Sequence, residues 1–211
     1  IDWHIYASNV CNHACAWCMF RQNGEQFDYA VKLPREVLLR AVRDAVAHDA
    51  ALIHFSGGGE PLLNRHTLEA MTLAQELGRA REAAGGLPLR VALSTNGSRL
   101  SPEVAAQVDY IRVSLNAGTA AQHHATNHAG DPRHPGDWAR ILDNLRASAP
   151  ARRQDLGLAF VVDADNYPDI PAFCAIGAEV GADFVHIRPA FWYDEAKDAR
   201  MRAAMPDVLA V

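Results

Sequence analysis

Three thiols stand close together in the run Cys11-Asn12-His13-Ala14-Cys15-Ala16-Trp17-Cys18. Thiolate is a soft ligand, and three of them spaced by three and then two residues can hold three irons of a [4Fe–4S] cube while the fourth iron stays open. An open iron can take the amino and carboxylate groups of a bound molecule and so set a sulfonium beside the cluster for direct electron transfer. The same residues also suit a zinc ion, with His13 as a fourth ligand, or packing without any metal. Four cysteines in 211 residues are too few for a disulfide scaffold. The fourth, Cys174, lies alone in the helical pattern PAFCAIGAEV and reads as a buried, inert thiol.

Other segments carry polar groups that chemistry would use. Ser56-Gly57-Gly58-Gly59-Glu60-Pro61 joins glycines, which let a backbone approach a ligand without a Cβ in the way, to a carboxylate suited to an ammonium. A plain strand-to-helix turn would look the same. Ser94-Thr95-Asn96-Gly97 and Ser114-Leu115-Asn116 supply hydroxyls and amides, although Asn96-Gly97 alone is an ordinary turn pair. Arg188-Pro189 brings a guanidinium that can meet the carboxylate of a cofactor or substrate, or simply a surface acid. Ten histidines raise the question of a second metal. Of these, His123, His124, His128 and His134 fall in one polar, Gly- and Pro-rich stretch, 123–136, whose spacing matches no regular metal site. That stretch reads as a solvated loop, with substrate contact or acid–base work as lesser readings.

These segments need a scaffold that brings them together. Six β-branched or aromatic runs, Trp3–Ser8, Leu52–Ser56, Leu89–Ser94, Tyr110–Leu115, Leu158–Val162 and Phe184–Arg188, read as strands. Between them, Arg35–Ala47, Arg65–Leu77, Pro102–Val108, Asp137–Leu145 and Tyr167–Val180 show helical spacing of apolar residues. Strands alternating with helices imply a parallel sheet. The fifth run, GLAFVV, lacks polar alternation, as strands covered on both faces do. The polar segments follow strands, so they gather at the carboxyl ends, where barrels of this kind build their sites. Six βα units cannot close the eight-fold barrel. The expected fold is α/β, an open, partial (β/α)6 barrel of parallel strands.

With 49% of residues apolar, the chain can bury the core of one domain spanning 1–211. It begins inside the first strand and stops soon after the sixth, so N- and C-terminal segments of the natural protein are expected to be missing from it. A net charge of −5 with scattered Lys and Arg gives no nucleic-acid footprint. No apolar run approaches the roughly 18–20 residues of a membrane span, and the first residues form no signal peptide. The expected compartment is the cytoplasm.

In their order along the chain these motifs resemble the radical S-adenosylmethionine (radical SAM) superfamily. Cys11, Cys15 and Cys18 match its three-cysteine signature, which implies that they ligate a [4Fe–4S] cluster. Trp17 stands where an aromatic usually precedes the last cysteine. The resemblance would place it near the adenine of S-adenosylmethionine, with Phe20 close by; both would equally serve as core aromatics under the loop. Gly58, Gly59 and Glu60 look like the Gly-Gly-Glu motif that holds the methionyl amino group. Ser94, Asn96, Ser114 and Asn116 resemble residues that hydrogen-bond the ribose and carboxylate, and Arg188 would serve a carboxylate. Val161, Val162 and Ile187 resemble apolar segments that flank adenine and would be core residues in any case. Phe191, Trp192 and Tyr193 would line the substrate side of the mouth or pack against a C-terminal segment.

The resemblance implies an activity. A reduced cluster donates an electron to S-adenosylmethionine, releasing methionine and a 5′-deoxyadenosyl radical that abstracts hydrogen from a small-metabolite or peptide substrate. An electron donor such as flavodoxin or ferredoxin is implied as a partner. The residues single out no acid or base catalyst and no particular substrate. Two other readings stay open: a cobalamin-dependent methyltransferase whose cobalamin domain lies outside this chain, and a zinc-stabilised, non-redox interaction module.

Overall fold

Apolar and polar residues alternate along Leu52–Ser56: Ile53 and Phe55 are fully buried, whereas Leu52, His54 and Ser56 are half-buried. Tyr110–Ser114 repeats the pattern. A period of two sends alternate side chains to opposite faces of a strand, so one face of the sheet is apolar and the other is polar. The computed structural model describes residues 1–22, 28–128 and 136–211. Six strands, β1 (Asp2–Tyr6), β2 (Leu52–Ser56), β3 (Arg90–Thr95), β4 (Tyr110–Ser114), β5 (Asp155–Val162) and β6 (Phe184–Pro189), pair in chain order. All five pairings are parallel, and the sheet is left unclosed. The expected open, partial α/β barrel is what the chain forms.

Helices cross between the strands: α1 (Met19–Gln22), α2 (Arg35–Ala47), α3 (Thr67–Ala83), α4 (Pro102–Ala105), α5 (Ala120–Asn127), α6 (Trp138–Ser148) and α7 (Ile170–Glu179), with α8 (Glu195–Val208) after the last strand. The core lies between the apolar sheet face and these helices. Leu93, Ile111, Val113, Leu158 and Phe160 from the sheet join Leu38, Val42, Met71, Ile141, Leu145 and Phe173 from the helices, all sealed from solvent. Phe160 and Phe173 meet edge-to-face with ring centroids 5.0 Å apart. Truncating either to Ala would cost about 3–5 kcal/mol through lost burial and the cavity left behind.

The opposite face follows from the register. Ser94 lies beside Arg112, Ser114 beside Ala159, and Val161 beside Arg188, so His4, His54, Ser94, Arg112, Ser114, His186 and Arg188 share it. Near its amino-terminal end the face is filled by aromatics. Tyr110 and Phe184 stack with centroids 5.6 Å apart, and a Cβ on Gly157 would stand 2.1 Å from the Phe184 ring.

Several boundaries differ from the sequence expectations. β1 stops at Tyr6, and Ser8 instead forms an isolated antiparallel bridge to Lys32. β5 begins at Asp155, because Asp155–Gly157 extend the pairing with β4. α3 runs on to Ala83, whereas α4 ends at Ala105. The stretch expected as a loop from His123 begins inside α5, whose N-cap Thr119 accepts a hydrogen bond from Gln122 N at 3.3 Å. Ile187, expected in the core, is 38% exposed, since β6 pairs on one side only. Val161 and Val162 are buried as expected.

Candidate functional site

Beyond Tyr6 the chain crosses the carboxyl edge of the sheet, tied down by Asn9 N donating to Val31 O at 2.9 Å and by Leu33 N donating to Ala7 O at 3.1 Å. Cys11, Cys15 and Cys18 lie on this crossing, half-buried and free of disulfides. The turn after β2 packs directly on it. Gly59 N donates to Ser8 O at 3.1 Å and Glu60 N to Val10 O at 2.9 Å. A Cβ on Gly59 would stand 2.4 Å from the carbonyl carbon of Asn9 and the oxygen of Val10. Only glycine lets the two loops meet backbone to backbone.

Glu60 is 2% exposed, and both of its oxygens are engaged. Oε1 accepts from Thr95 Oγ1 at 2.8 Å and from Leu62 N at 3.0 Å, while Oε2 accepts from Asn96 N at 2.7 Å. Burial pushes this carboxyl up in pKa, and the three donors pull it back. The carboxylate thus clamps the glycine turn to the end of β3. There, Asn96 Nδ2 donates to Asn12 Oδ1 at 2.9 Å and lies 3.9 Å from Cys11 Sγ. Asn12 Nδ2 donates in turn to Ser98 Oγ at 3.0 Å. Asn12, Thr95 and Ser98 were not singled out from the sequence; their position beside residues that were is the signal that could have found them.

At the end of β4, Asn116 takes a left-handed backbone, φ 61°, which Asn tolerates better than most residues. Its Oδ1 accepts from Val161 N at 2.9 Å, and its Nδ2 donates to Asn127 Oδ1 at 3.4 Å. Asn127 O accepts from Ala14 N at 2.7 Å and Thr126 O from Ala16 N at 2.9 Å, so α5 also holds the cysteine loop. Ser94 Oγ is 2.8 Å from His54 Nε2, and Ser114 is half-buried on the same sheet face. Arg188 is exposed there, and among the described residues it makes no ion pair. On the same face Arg112 Nε is buried with no hydrogen-bond partner. Trp17 is 7% exposed and joins the hydrophobic core, while Phe20 meets Tyr6 edge-on at 6.3 Å. Trp192 is buried under Lys197, but Phe191 and Tyr193 are exposed. Cys174 is half-buried against the core.

The structure therefore brings Cys11, Gly59, Glu60 and Asn96 into one hydrogen-bonded rim, with Gly58 buried in the same turn, Asn116 tied to the cysteine loop through Asn127, and Ser94, Ser114 and Arg188 on the polar face below it. Burial pushes the Cys11 thiol up to about 11; Cys15 is raised too, by burial and then by the nearness of Cys11 and Cys18. Two buried thiols that resist ionisation, with the soft Cys18 sulfur beside them, are a set that bound iron would relieve, since coordination turns a thiol into a thiolate. They fit a cluster. His13 Nε2 is turned to Asp137 Oδ2 at 3.1 Å.

The histidines form a group of their own. His13, His123 and His128 are 1–2% exposed and pack around Asp137, which is 4% exposed. Asp137 Oδ1 is 3.0 Å from His128 Nε2. Although burial alone would raise it, the Asp137 carboxyl is held well below the usual range by its hydrogen bonds to His13 and His128. His124 is half-buried with its ring centroid 6.0 Å from that of His128, and His134 lies outside the described residues. Among the described residues, no helix is long and apolar enough to cross a membrane.

Comparison with known proteins adds a family. The sequence family described as the radical SAM superfamily matches residues 5–159. Mycofactocin maturase MftC of Mycolicibacterium smegmatis is 28% identical over 191 residues, 86% of this chain and 42% of the relative. A probable GTP 3′,8-cyclase of Saccharolobus islandicus is 25% identical over 192 residues, covering 88% of this chain and 56% of the relative. The chain thus spans about half the length of the curated relatives it matches. Among solved structures, Streptococcus suis SuiB bound to the precursor peptide SuiA superposes with a TM-score of 0.68 at 16% identity, covering 99% of this chain and 46% of that one. The protein anSMEcpe with bound AdoMet superposes with a TM-score of 0.70 at 18% identity, covering 90% and 50%.

Proposed function

The chain belongs to the radical SAM superfamily, and on that premise we propose that it is the core of an enzyme that binds a [4Fe–4S] cluster and S-adenosylmethionine and acts on a peptide. Cys11, Cys15 and Cys18 would hold the cluster through their thiolates. The observation that carries this reading is the rim itself, in which the cysteine loop, the Gly58–Glu60 turn, Asn96 and Asn116 are joined by hydrogen bonds at one end of the sheet. When bound, the reduced cluster supplies one electron that cleaves S-adenosylmethionine to methionine and a 5′-deoxyadenosyl radical, which takes hydrogen from the substrate.

The residues supply binding and aim. Gly58 and Gly59 present backbone to the methionyl ammonium, with Glu60 fixing that backbone from behind. Ser94, Asn96, Ser114 and Asn116 offer hydroxyl and amide groups to the ribose and carboxylate, and Arg188 offers its guanidinium to a carboxylate. Trp17 supports the loop from the core side, and Phe20 stands beside it. A peptide substrate is favoured because MftC is named a maturase and SuiB is solved with a precursor peptide; the cyclase relative keeps a small metabolite as the competing class. Electrons would come from a carrier of the flavodoxin or ferredoxin kind.

Anaerobic reconstitution with iron and sulfide, then dithionite and S-adenosylmethionine, tests the reading. Release of 5′-deoxyadenosine, dependent on each of the three cysteines, is expected. Binding of zinc in place of iron would sink it.

A further inference from the structure

Four buried metal-ligand side chains, three from one stretch of the chain and one from far upstream, meet behind the cysteine loop. His13 comes from that loop, His123 from α5, His128 from the residue after α5, and Asp137 from the start of α6. One donor atom of each lies within 4.8 Å of all the others. The imidazole centroids are 5.4 Å apart for His13 and His123, 4.6 Å for His13 and His128, and 5.4 Å for His123 and His128.

Two observations separate this pocket from ordinary packing. His123 is 1% exposed, and neither of its ring nitrogens has a hydrogen-bond partner; His13 Nδ1 is likewise buried and unpaired. A neutral imidazole always carries one N–H, and burying it unsatisfied costs about 1–3 kcal/mol. A lone pair directed at a metal removes half of that difficulty, because the ligand nitrogen is then occupied. The second observation is Asp137. It occupies the N-cap position of α6, where an Asp side chain ordinarily accepts from the helix amides, yet it makes no capping bond. Its carboxylate turns instead to His13, His128 and Arg140.

We infer that His13, His123, His128 and Asp137 form a closed, structural site for a divalent first-row transition ion of the zinc class, separate from the cysteine-held cluster. Three neutral imidazoles and one carboxylate are a borderline-soft donor set suited to zinc, and four protein ligands leave no open position for chemistry. Bonds of about 2.0–2.1 Å place tetrahedral donor atoms about 3.4 Å apart, so the observed spacing closes onto an ion with small side-chain movements. Arg140 Nη2 lies 3.0 Å from Asp137 Oδ2, but its side chain is 58% exposed and can turn to solvent when an ion takes the carboxylate. The ion would staple the cysteine loop to α5 and to the start of α6. It would hold the segment between Cys11 and Cys15 in place before any cluster is inserted.

The test uses the full natural chain with Cys11, Cys15 and Cys18 replaced by Ala, so that the thiols beside the pocket cannot compete and the outcome does not depend on the cluster reading. Titration with Co2+ is expected to saturate at one ion per chain, with the visible d–d bands of four-coordinate cobalt, no thiolate charge-transfer band, and displacement by Zn2+. In the same background His123→Ala is expected to abolish those bands. Should that variant fold poorly by circular dichroism, His123→Phe, which keeps the ring volume without a donor, takes its place. In the cluster-loaded protein, metal analysis is expected to find one zinc per chain beyond the cluster iron. Weak six-coordinate cobalt bands only, or unchanged four-coordinate bands in a folded His123 variant, would overturn the inference.

Discussion

The cysteine loop and the histidine pocket adjoin each other, share the segment around His13, and differ in almost every physical respect. The thiols are half-buried at the mouth of an unclosed sheet, and the polar groups around them come from the ends of several strands. The imidazoles and their carboxylate are sealed, and two of them have nitrogens without a partner. Ligands that keep one side open suit a group that must still meet a substrate. Ligands that close on all sides suit an ion whose work is to hold the chain.

The sharpest way to break this contrast is to remove one member of each group. Cys15→Ala is expected to reduce cluster loading from about four irons per chain to near none, while leaving circular dichroism and solubility unchanged, because the loop lies at the mouth and not in the core. Full iron content would refute the cysteine assignment. Asp137→Asn should instead lower thermal stability, by roughly 3 kcal/mol, because it strips a buried charge from its partners. Arg140→Ala, at the exposed edge of the same pocket, should cost about 1 kcal/mol or less. Equal shifts in melting temperature for the two variants would show that the pocket is held by surface charge rather than by its buried centre. A separate effect, read in binding rather than in stability, belongs to the rim between the two regions. Glu60→Ala, leaving the amides of Leu62 and Asn96 and the Thr95 hydroxyl without their acceptor, should weaken S-adenosylmethionine affinity about tenfold, or about 1.4 kcal/mol, with little change in iron content. Equilibrium binding to the reconstituted protein measures it, and unchanged affinity would remove Glu60 from the site.

The sequence showed the open region far better than the closed one. Strand ends are local events, and the cysteine run, the glycine turn and the Ser-Leu-Asn segment each follow a strand whose period of two is visible in a few residues. The pocket depends on tertiary contact, since residues 13 and 137 meet only once the sheet has curved. A spacing rule applied to His123, His124, His128 and His134 missed it because two of the four ligands, His13 and Asp137, lie outside that set. One local clue was available. Thr119 and Gln122 have the spacing of a capping box, so a helix start could have been placed where a loop was expected. The role of Glu60 was half legible: its place in the glycine turn could be read, but its bonds to Thr95 and Asn96 required β2 and β3 to lie side by side.

Gly59 carries a consequence for how such a protein can change over time. With a Cβ there 2.4 Å from Asn9 and Val10, the cysteine loop and the glycine turn are fitted to each other through main chain alone. Main chain has no alternative side chains to offer, so neither segment can be lengthened, shortened or exchanged for that of another protein unless the other changes in the same step. A change of length in either stretch is therefore expected to require a matching change in the other.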